Sequence, residues 1–243
     1  MHHPRKDWTA LVALLLALGS FMLFVPGCQS PAESQSRQTD AAVPSAPAAP
    51  ALTLKPMPTA EPTSEPSDTD LVRIQDYIPT LYVDLRYATT NNCTGTQIYD
   101  FTDARLRYGT VKKLARVQQT LLQQGFSLKI WDAFRPISAQ FRLWEVCPNN
   151  AYVANPNTGY SSHSRGNTID ITLVLSDGSE IPMPSGFDEF TALADRDYSD
   201  VSAEAAVNAE LLEAAMLAEG FAAYSGEWWH YSDAVVYEVI KDA

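Results

Sequence analysis

Between residue 76 and the C-terminus, the apolar positions follow two different periods. Alternating apolar and polar residues predict strands at residues 76–87, 126–130 and 169–175. A spacing of three or four residues predicts amphipathic helices over about residues 110–124 and 203–219, and a glycine follows each of them at the C-terminal cap position. This succession predicts an α+β domain with helices packed on a small, mainly antiparallel sheet.

Turn and cap signals define the ends of these elements. Asp177-Gly178 is a strong turn signal, so the strand before it is expected to return as a hairpin through residues 180–183. Pro136 suits the first turn of a helix, which would run to Cys147. The helix at residues 203–219 is expected to bury one stripe, formed by Val207, Leu211, Ala215 and Ala218.

The N-terminal segment is typical of a secretory leader. Two basic residues precede an apolar stretch at residues 9–25, and Gly27-Cys28 follows. The segment resembles a bacterial lipoprotein signal, in which cleavage after residue 27 frees Cys28 for lipid attachment, although Pro26 is unusual there. An uncleaved signal anchor is the alternative, since the apolar run is almost long enough to span a bilayer. Both predict an extracytoplasmic protein held at the membrane of the cell envelope or periplasm.

Composition divides the rest of the chain in two. Residues 28–69 are rich in Pro, Ala, Ser and Thr and contain almost no large apolar residue, which predicts a disordered tether. Residues 70–243 are long enough for one domain with a sizeable core.

Charge and cysteine content narrow the set of partners. Seventeen Lys and Arg against 29 Asp and Glu give a net charge of −12, which argues against nucleic acid or another polyanion as a partner.

With Cys28 carrying lipid, Cys93 and Cys147 remain as a pair in an oxidising compartment. They are expected either to form one disulfide or to stay as two buried thiols.

A divided metal site is the main functional feature. Only four histidines occur, and the first two lie in the leader, so the domain keeps His163 and His230. Together with Asp170 they match a common three-ligand set for one catalytic Zn²⁺, and Glu227 would then act as general base on the activated water. The alternative is that these are unrelated polar residues satisfied by ordinary hydrogen bonds.

The spacing of Glu227 and His230 sets a condition on the backbone between them. Glu227 and His230 are three residues apart and would point to opposite faces of a regular strand, so they can share a site only if the backbone bends between them. Trp228 and Trp229 are expected in the core or in a pocket wall.

Arg135 lies at a predicted strand-to-helix junction, where functional side chains are common, although a surface cation paired with an acidic neighbour is the simpler interpretation.

Several motifs together resemble one enzyme family. S-x-H-x-x-G-x-x-x-D at residues 161–170 and E-W-W-H at residues 227–230 are similar to the zinc D-alanyl-D-alanine dipeptidases associated with vancomycin resistance. Further likeness lies at residues 85–89, 131–136 and 182–188, so that the resemblance covers most of the domain in order. The wider group also includes D-Ala-D-Ala carboxypeptidases.

The resemblance assigns roles to individual residues. It implies that His163, Asp170 and His230 bind Zn²⁺, that Glu227 passes a proton from the water to the leaving amine, and that Arg135 stabilises the oxyanion. It also implies that the substrate's free ammonium is held by a second group of residues, namely Asp188, Tyr87 and Ser161. Cys93 and Cys147 depart from the family pattern, and a cross-link between them would reshape the pocket.

The predicted activity is therefore zinc-dependent hydrolysis of the small dipeptide D-Ala-D-Ala to two D-Ala. A D,D- or L,D-carboxypeptidase that trims peptidoglycan stem peptides is the first alternative. A non-catalytic wall-binding lipoprotein with a structural zinc is the second, and the presence of Glu227 argues against it, because a structural site needs no base.

Overall fold

The computed structural model describes residues 64–241. The predicted leader at residues 1–27, the predicted lipid attachment site Cys28 and all but the last few residues of the predicted tether lie outside the described residues. Among residues 64–241, no helix is long and apolar enough to cross a membrane.

Within residues 64–241, seven strands form two sheets. They are β1 (Leu71–Arg73), β2 (Tyr82–Val83), β3 (Arg105–Arg107), β4 (Phe126–Asp132), β5 (Thr168–Leu175), β6 (Phe221–Ala223) and β7 (His230–Asp233). The main sheet has the order β2-β4-β5-β7-β6, in which only the β2–β4 pair is parallel. Strands β1 and β3 pair separately as an antiparallel ribbon. The predicted α+β class with a mainly antiparallel sheet is confirmed.

Three α-helices accompany the sheets in the described part of the chain: α1 (Tyr108–Leu122), α2 (Ile137–Val146) and α3 (Ala203–Ala218). Helix α1 packs against β4 and α3, while α3 packs against β5 and β6. The apolar stripe of α1 is fully buried and consists of Val111, Leu114, Val117 and Leu121. Gly125 follows the helix with φ +85°, a conformation that suits a glycine cap. Helix α2 begins directly after Pro136, as expected.

The opening strand is shorter than predicted. Of residues 76–87, only Tyr82–Val83 pairs in the sheet, and the chain then turns into the 3₁₀ helix Arg86–Ala88. That helix buries Tyr87 and directs the chain away from the sheet.

The prediction that the chain returns from this turn as a second strand is wrong. The turn itself forms, because the Leu175 N–H donates to Ser179 O at 2.9 Å and Gly178 has φ +88°. Only a single bridge follows, between Val174 and Glu180. Pro182 has no N–H to continue a ladder, and its carbonyl instead accepts a hydrogen bond from Asn208 Nδ2 at 2.8 Å.

The buried face of α3 matches the predicted stripe only in part, because Ala215 is buried and Leu211 is half-buried against the core. Val207 is 61 % exposed and Ala218 is exposed, whereas the helix buries a face that includes Ala205, Ala209, Leu212 and Met216. Because alanine and leucine occupy most turns of this helix, the sequence offers two apolar stripes of similar strength, and tertiary packing selects between them.

Strand register brings distant polar residues to one end of the main sheet. Asp170 on β5 is paired with His230 on β7 and, on its other side, with Asp132 at the end of β4. A register irregularity between Ile130 and Asp132 shifts the last residue of β4. Three chain segments far apart in sequence thus meet at Asp170.

Candidate active site

Three buried or half-buried side chains converge in the way that a metal ion requires. The Nε2 atom of His163 lies 3.4 Å from Asp170 Oδ2, and Nδ1 of His230 lies 2.9 Å from Asp170 Oδ1. One ligand atom from each of the three residues lies within 4.8 Å of the other two. A tetrahedral zinc with bonds of about 2.0–2.1 Å holds its ligand atoms roughly 3.3 Å apart, so the spacing fits.

His163 is held in one orientation by its backbone and by its ring. It lies in the 3₁₀ helix Ser162–Arg165, which ends at Gly166 in the left-handed conformation with φ +73°. Its Nδ1 lies 2.8 Å from the carbonyl oxygen of Ala133. A carbonyl can only accept, so Nδ1 carries the proton and Nε2 is left as the ligand atom that faces Asp170.

A tight turn at residues 224–230 satisfies the condition on Glu227 and His230. The His230 N–H donates to Glu227 O at 3.3 Å, and this bend allows both side chains to face one site. Glu227 Oε2 lies 3.5 Å from His230 Nδ1. Trp228 and Trp229 are fully buried inside the turn, which confirms that they belong to the core.

The ionisable groups shift one another's pKa values. Burial alone would raise the pKa of Asp170, but the facing His163 and His230 hold it well below its usual range. For His163, burial is outweighed by the carboxylates of Asp170 and Asp132, which raise its pKa. Burial, together with the charge of Asp170, raises the pKa of Glu227 to about 7.

Arg135 is buried and belongs to an ionic network. Its Nε donates to Asp132 Oδ2 at 3.1 Å, and Nη1 donates to Gln140 Oε1 at 2.9 Å. The guanidinium also stacks over the Tyr87 ring, 4.9 Å from its centroid. It therefore pairs with an acidic neighbour, as the simpler interpretation expected, but inside the cavity instead of at the surface.

Asp132 was not among the predicted site residues. Its carboxylate accepts from Tyr99 Oη at 2.6 Å and lies 3.6 Å from His163 Nδ1, besides its bonds to Arg135. One carboxylate thus contacts both Arg135 and His163 and helps to fix the orientation of both side chains. The signal available in the sequence was its position as the only acidic residue of the Trp131-Asp132-Ala133-Phe134-Arg135 segment.

A second acidic group lies at the other end of the site. Tyr87 Oη donates to Asp188 Oδ2 at 2.7 Å, and both residues are buried. Asp188 has φ +55°, an uncommon conformation for a residue with a side chain. Burial raises the pKa of Asp188 to about 6. Ser161 is buried at the start of the 3₁₀ helix that carries His163.

One open cavity of about 530 Å³ connects these groups. All of the residues predicted for the site line it: Tyr87, Arg135, Ser161, His163, Asp170, Asp188, Glu227 and His230. Its rim includes the stacked rings of Tyr152 and Phe190, whose centroids are 4.6 Å apart. The structure thus brings all eight residues together in a cavity of a size suited to a small ligand.

The predicted disulfide does not form. Cys93 and Cys147 are both free thiols, Cys93 in the exposed loop after Tyr87 and Cys147 half-buried at the end of α2. The alternative of two buried thiols describes Cys147 better than Cys93.

Comparison with known proteins agrees with this geometry. The profile of the D-ala-D-ala dipeptidase family matches residues 67–238. The chain belongs to this family.

Curated relatives carry the same name. A D-alanyl-D-alanine dipeptidase of Escherichia coli K12 is 36% identical over 176 residues, which cover 72% of this chain and 91% of the relative. The corresponding protein of Enterococcus faecium is 34% identical over 168 residues, covering 61% and 83% of the two chains. One from Streptomyces coelicolor is 32% identical over 184 residues, covering 67% and 91%.

Membership makes the chain a peptidase of a metallopeptidase family. Among the described residues, the group of acidic, histidine and cysteine side chains with metal-ligand spacing is His163, Asp170 and His230. A group of side chains that could hold a metal ion is what a member of a metallopeptidase family requires.

Proposed function

We propose that this protein hydrolyses the dipeptide D-Ala-D-Ala to two D-Ala with one zinc ion per chain. The observation that carries the proposal is that a single small cavity joins the metal cluster and Glu227 to the Asp188–Tyr87 pair. A dipeptide has a scissile carbonyl and a free ammonium a few bonds apart, and the two ends of the cavity offer one group of residues for each. The names of the relatives support the same substrate.

The zinc ligands would be Nε2 of His163, Nδ1 of His230 and the carboxylate of Asp170. When bound, zinc supplies a Lewis acid that activates water and polarises a carbonyl. The chain's own contribution is orientation, because the Ala133 carbonyl fixes the His163 ring through Nδ1 and the Asp170–His230 strand pair fixes the other two ligands.

Glu227 is the candidate general base. Its carboxylate lies beside His230 in the cavity without occupying the position of a ligand. Burial raises the pKa of Glu227 above the usual range of a glutamate, which favours a group that accepts a proton from water and returns it to the leaving amine.

Arg135 is the candidate oxyanion partner. Asp132 and Gln140 hold its guanidinium in place, so that its charge requires little reorganisation when a negative oxygen develops nearby.

Asp188 is the candidate partner of the substrate ammonium. An ionised carboxylate in a buried position is stabilised by a cation, and within the cavity Asp188 and Tyr87 form an acidic end. A stem peptide carries an acylated nitrogen at this point, which brings no positive charge to Asp188.

The deciding experiment compares D-Ala-D-Ala with N-acetyl-D-Ala-D-Ala as substrates of the zinc-loaded enzyme. We expect kcat/KM to favour the free dipeptide by about 100-fold or more, as for a site built around a charged hydrogen-bonded group. Preference for the blocked substrate would replace the proposal with a D,D-carboxypeptidase that acts on stem peptides. Turnover of neither substrate would support the non-catalytic binding protein.

We also propose that the enzyme acts outside the cytoplasm as a lipoprotein anchored through Cys28. The Gly27-Cys28 pair after an apolar stretch supports this location. Labelled fatty acid should be incorporated into the wild-type chain and lost in Cys28→Ser. Incorporation into the variant, or recovery of the wild type without lipid in the cytoplasmic fraction, would contradict the proposal.

A further inference from the structure

Arg196 lies outside the cavity lining, yet its side chain contacts the turn that carries Glu227 and His230. Its Nε donates to Tyr224 O at 2.8 Å. Nη2 donates to Glu227 O at 3.0 Å and to His230 O at 3.2 Å. One guanidinium thus binds three carbonyls at the start, middle and end of residues 224–230.

The turn's own hydrogen bonds are longer than those that Arg196 makes. Within the turn, Glu227 N–H donates to Tyr224 O at 3.4 Å, and the His230 and Tyr224 amides donate at 3.3 Å to Glu227 O and His230 O. Bonds of this length are at the weak end of the usual range, whereas hydrogen bonds from a charged donor are about twice as strong as neutral ones. The bend between Glu227 and His230 is therefore held by stronger hydrogen bonds from Arg196 than from within the turn, alongside the bond of 2.8 Å that the Trp228 N–H donates to Ala194 O.

Arg196 is itself fixed from the opposite side. Nη1 donates to Glu213 Oε2 on α3 at 2.8 Å and to Tyr231 Oη at 3.1 Å. The guanidinium lies over the Tyr231 ring, 4.6 Å from its centroid. These contacts tie the turn to helix α3 and to strand β7, which are parts of the packed core.

We infer that Arg196 is a positioning residue, which holds Glu227 and His230 in their relative geometry by binding the backbone between them. The inference rests on the proposed function, since it is Glu227 and His230 that would act on the substrate and the metal. It requires a guanidinium, because one lysine ammonium cannot span three carbonyls that call for separate N–H donors along a planar fork.

The test uses Arg196→Lys and Arg196→Ala in the full-length protein, with Arg116→Lys as a matched control. Arg116 pairs with Glu219, just beyond the C-terminal end of α3, on the protein surface and away from the cavity. Amide hydrogen exchange of residues 224–230 is measured on the metal-free proteins. Zinc affinity is measured by competition with a chelator, and kcat and KM are measured on D-Ala-D-Ala.

For both Arg196 variants, we expect amide exchange in residues 224–230 to rise by about tenfold or more while the β4–β5 pair stays protected. Zinc should bind roughly 10- to 100-fold more weakly, as for loss of a group that orients a ligand. The value of kcat should fall while KM changes little, because Asp188 and Tyr87 belong to other segments. The Arg116→Lys variant should match wild type in all readouts.

Exchange, zinc affinity and kcat all equal to those of the control would overturn the inference, as would a uniform rise in exchange over the whole domain. If Arg196→Ala fails to fold, Arg196→Lys decides, together with Glu213→Gln, which leaves the guanidinium in place but removes its anchoring charge. If the wild-type enzyme does not hydrolyse D-Ala-D-Ala, the proposed function fails, while exchange and zinc affinity still test Arg196.

Discussion

The cavity has a proposed metal end, formed by His163, Asp170 and His230, and a proposed ammonium end, formed by Tyr87 and Asp188. The two are built from different parts of the fold. At the metal end, Asp170 lies on the central strand β5, His230 begins the neighbouring strand β7, and the ordered pairing of these strands sets the distance between them. At the ammonium end, Tyr87 lies in a short 3₁₀ helix and Asp188 in a loop, and a single side-chain hydrogen bond of 2.7 Å joins them.

This difference indicates where the chain tolerates change. Strand register fixes Asp170 and His230, so moving either of them by one position would turn its side chain to the opposite face. The ammonium end depends on loops, which vary without disturbing the sheet. We therefore expect substitutions at the metal end to remove activity and those at the ammonium end to change substrate preference.

The largest effect is expected for His163→Ala and His230→Ala. Each removes one of the three proposed zinc ligands and leaves the other two as an incomplete set, so bound zinc should be lost together with almost all activity. Elemental analysis of the purified variants, with Glu227→Gln as a control that keeps all three ligands, checks the result. Full zinc occupancy in either histidine variant would remove that residue from the ligand set.

Glu227→Gln separates chemistry from metal binding at the same end. The amide keeps the size of the side chain but cannot accept the proton, so kcat should fall about 10²–10⁴-fold, the usual contribution of general acid–base catalysis. Zinc content should stay at the wild-type level. Near-normal turnover would show that another group accepts the proton.

The site residues also differ in how far the sequence could predict them. The two histidines, Asp170 and Glu227 were identifiable because their residue types are rare or tightly spaced in the chain. Asp132 offered only its place in the segment that ends at Arg135. Arg196 offered no signal, because its role arises from contacts with Glu227 and His230, 31 and 34 residues on. Hydrogen bonds between distant segments leave no local pattern.

Periodicity predicted where the helices and strands lie better than it predicted which faces they bury and which strands they pair with. Helix α1 and strand β5 have strong single patterns, and both agree with the structure within a few residues. The pattern failed where apolar residues fill every turn, as in α3, and where alternation continues past a residue such as Pro182 that cannot join a ladder.

At the ammonium end, Asp188→Asn should change preference instead of removing activity. We expect kcat/KM for D-Ala-D-Ala to fall about 10- to 100-fold, and that for N-acetyl-D-Ala-D-Ala to change little, because only the free dipeptide brings a charge to this residue. Asparagine is chosen since it tolerates the positive φ of 55° better than alanine does. Asp177→Asn, in an exposed turn, is the control. Equal losses on both substrates would place Asp188 in the structure of the cavity and not in recognition.

The smallest effect concerns Cys93, which lies in the loop at the ammonium end. Burial of its thiol and the nearby Asp188 carboxylate raise the pKa of Cys93 to about 12, although the residue as a whole is exposed. At pH 8 only about one thiol in 10⁴ is then ionised, so iodoacetamide should modify Cys93 at least ~100-fold more slowly than free cysteine. In Asp188→Asn the contribution of the carboxylate disappears while burial remains, and modification should become a few-fold faster.

Peptide mass mapping measures both rates of modification at Cys93. A fast reaction in the wild type would mean that the loop leaves the thiol open to water, and a rate unaffected by Asp188→Asn would separate Cys93 from the group that is expected to recognise the substrate.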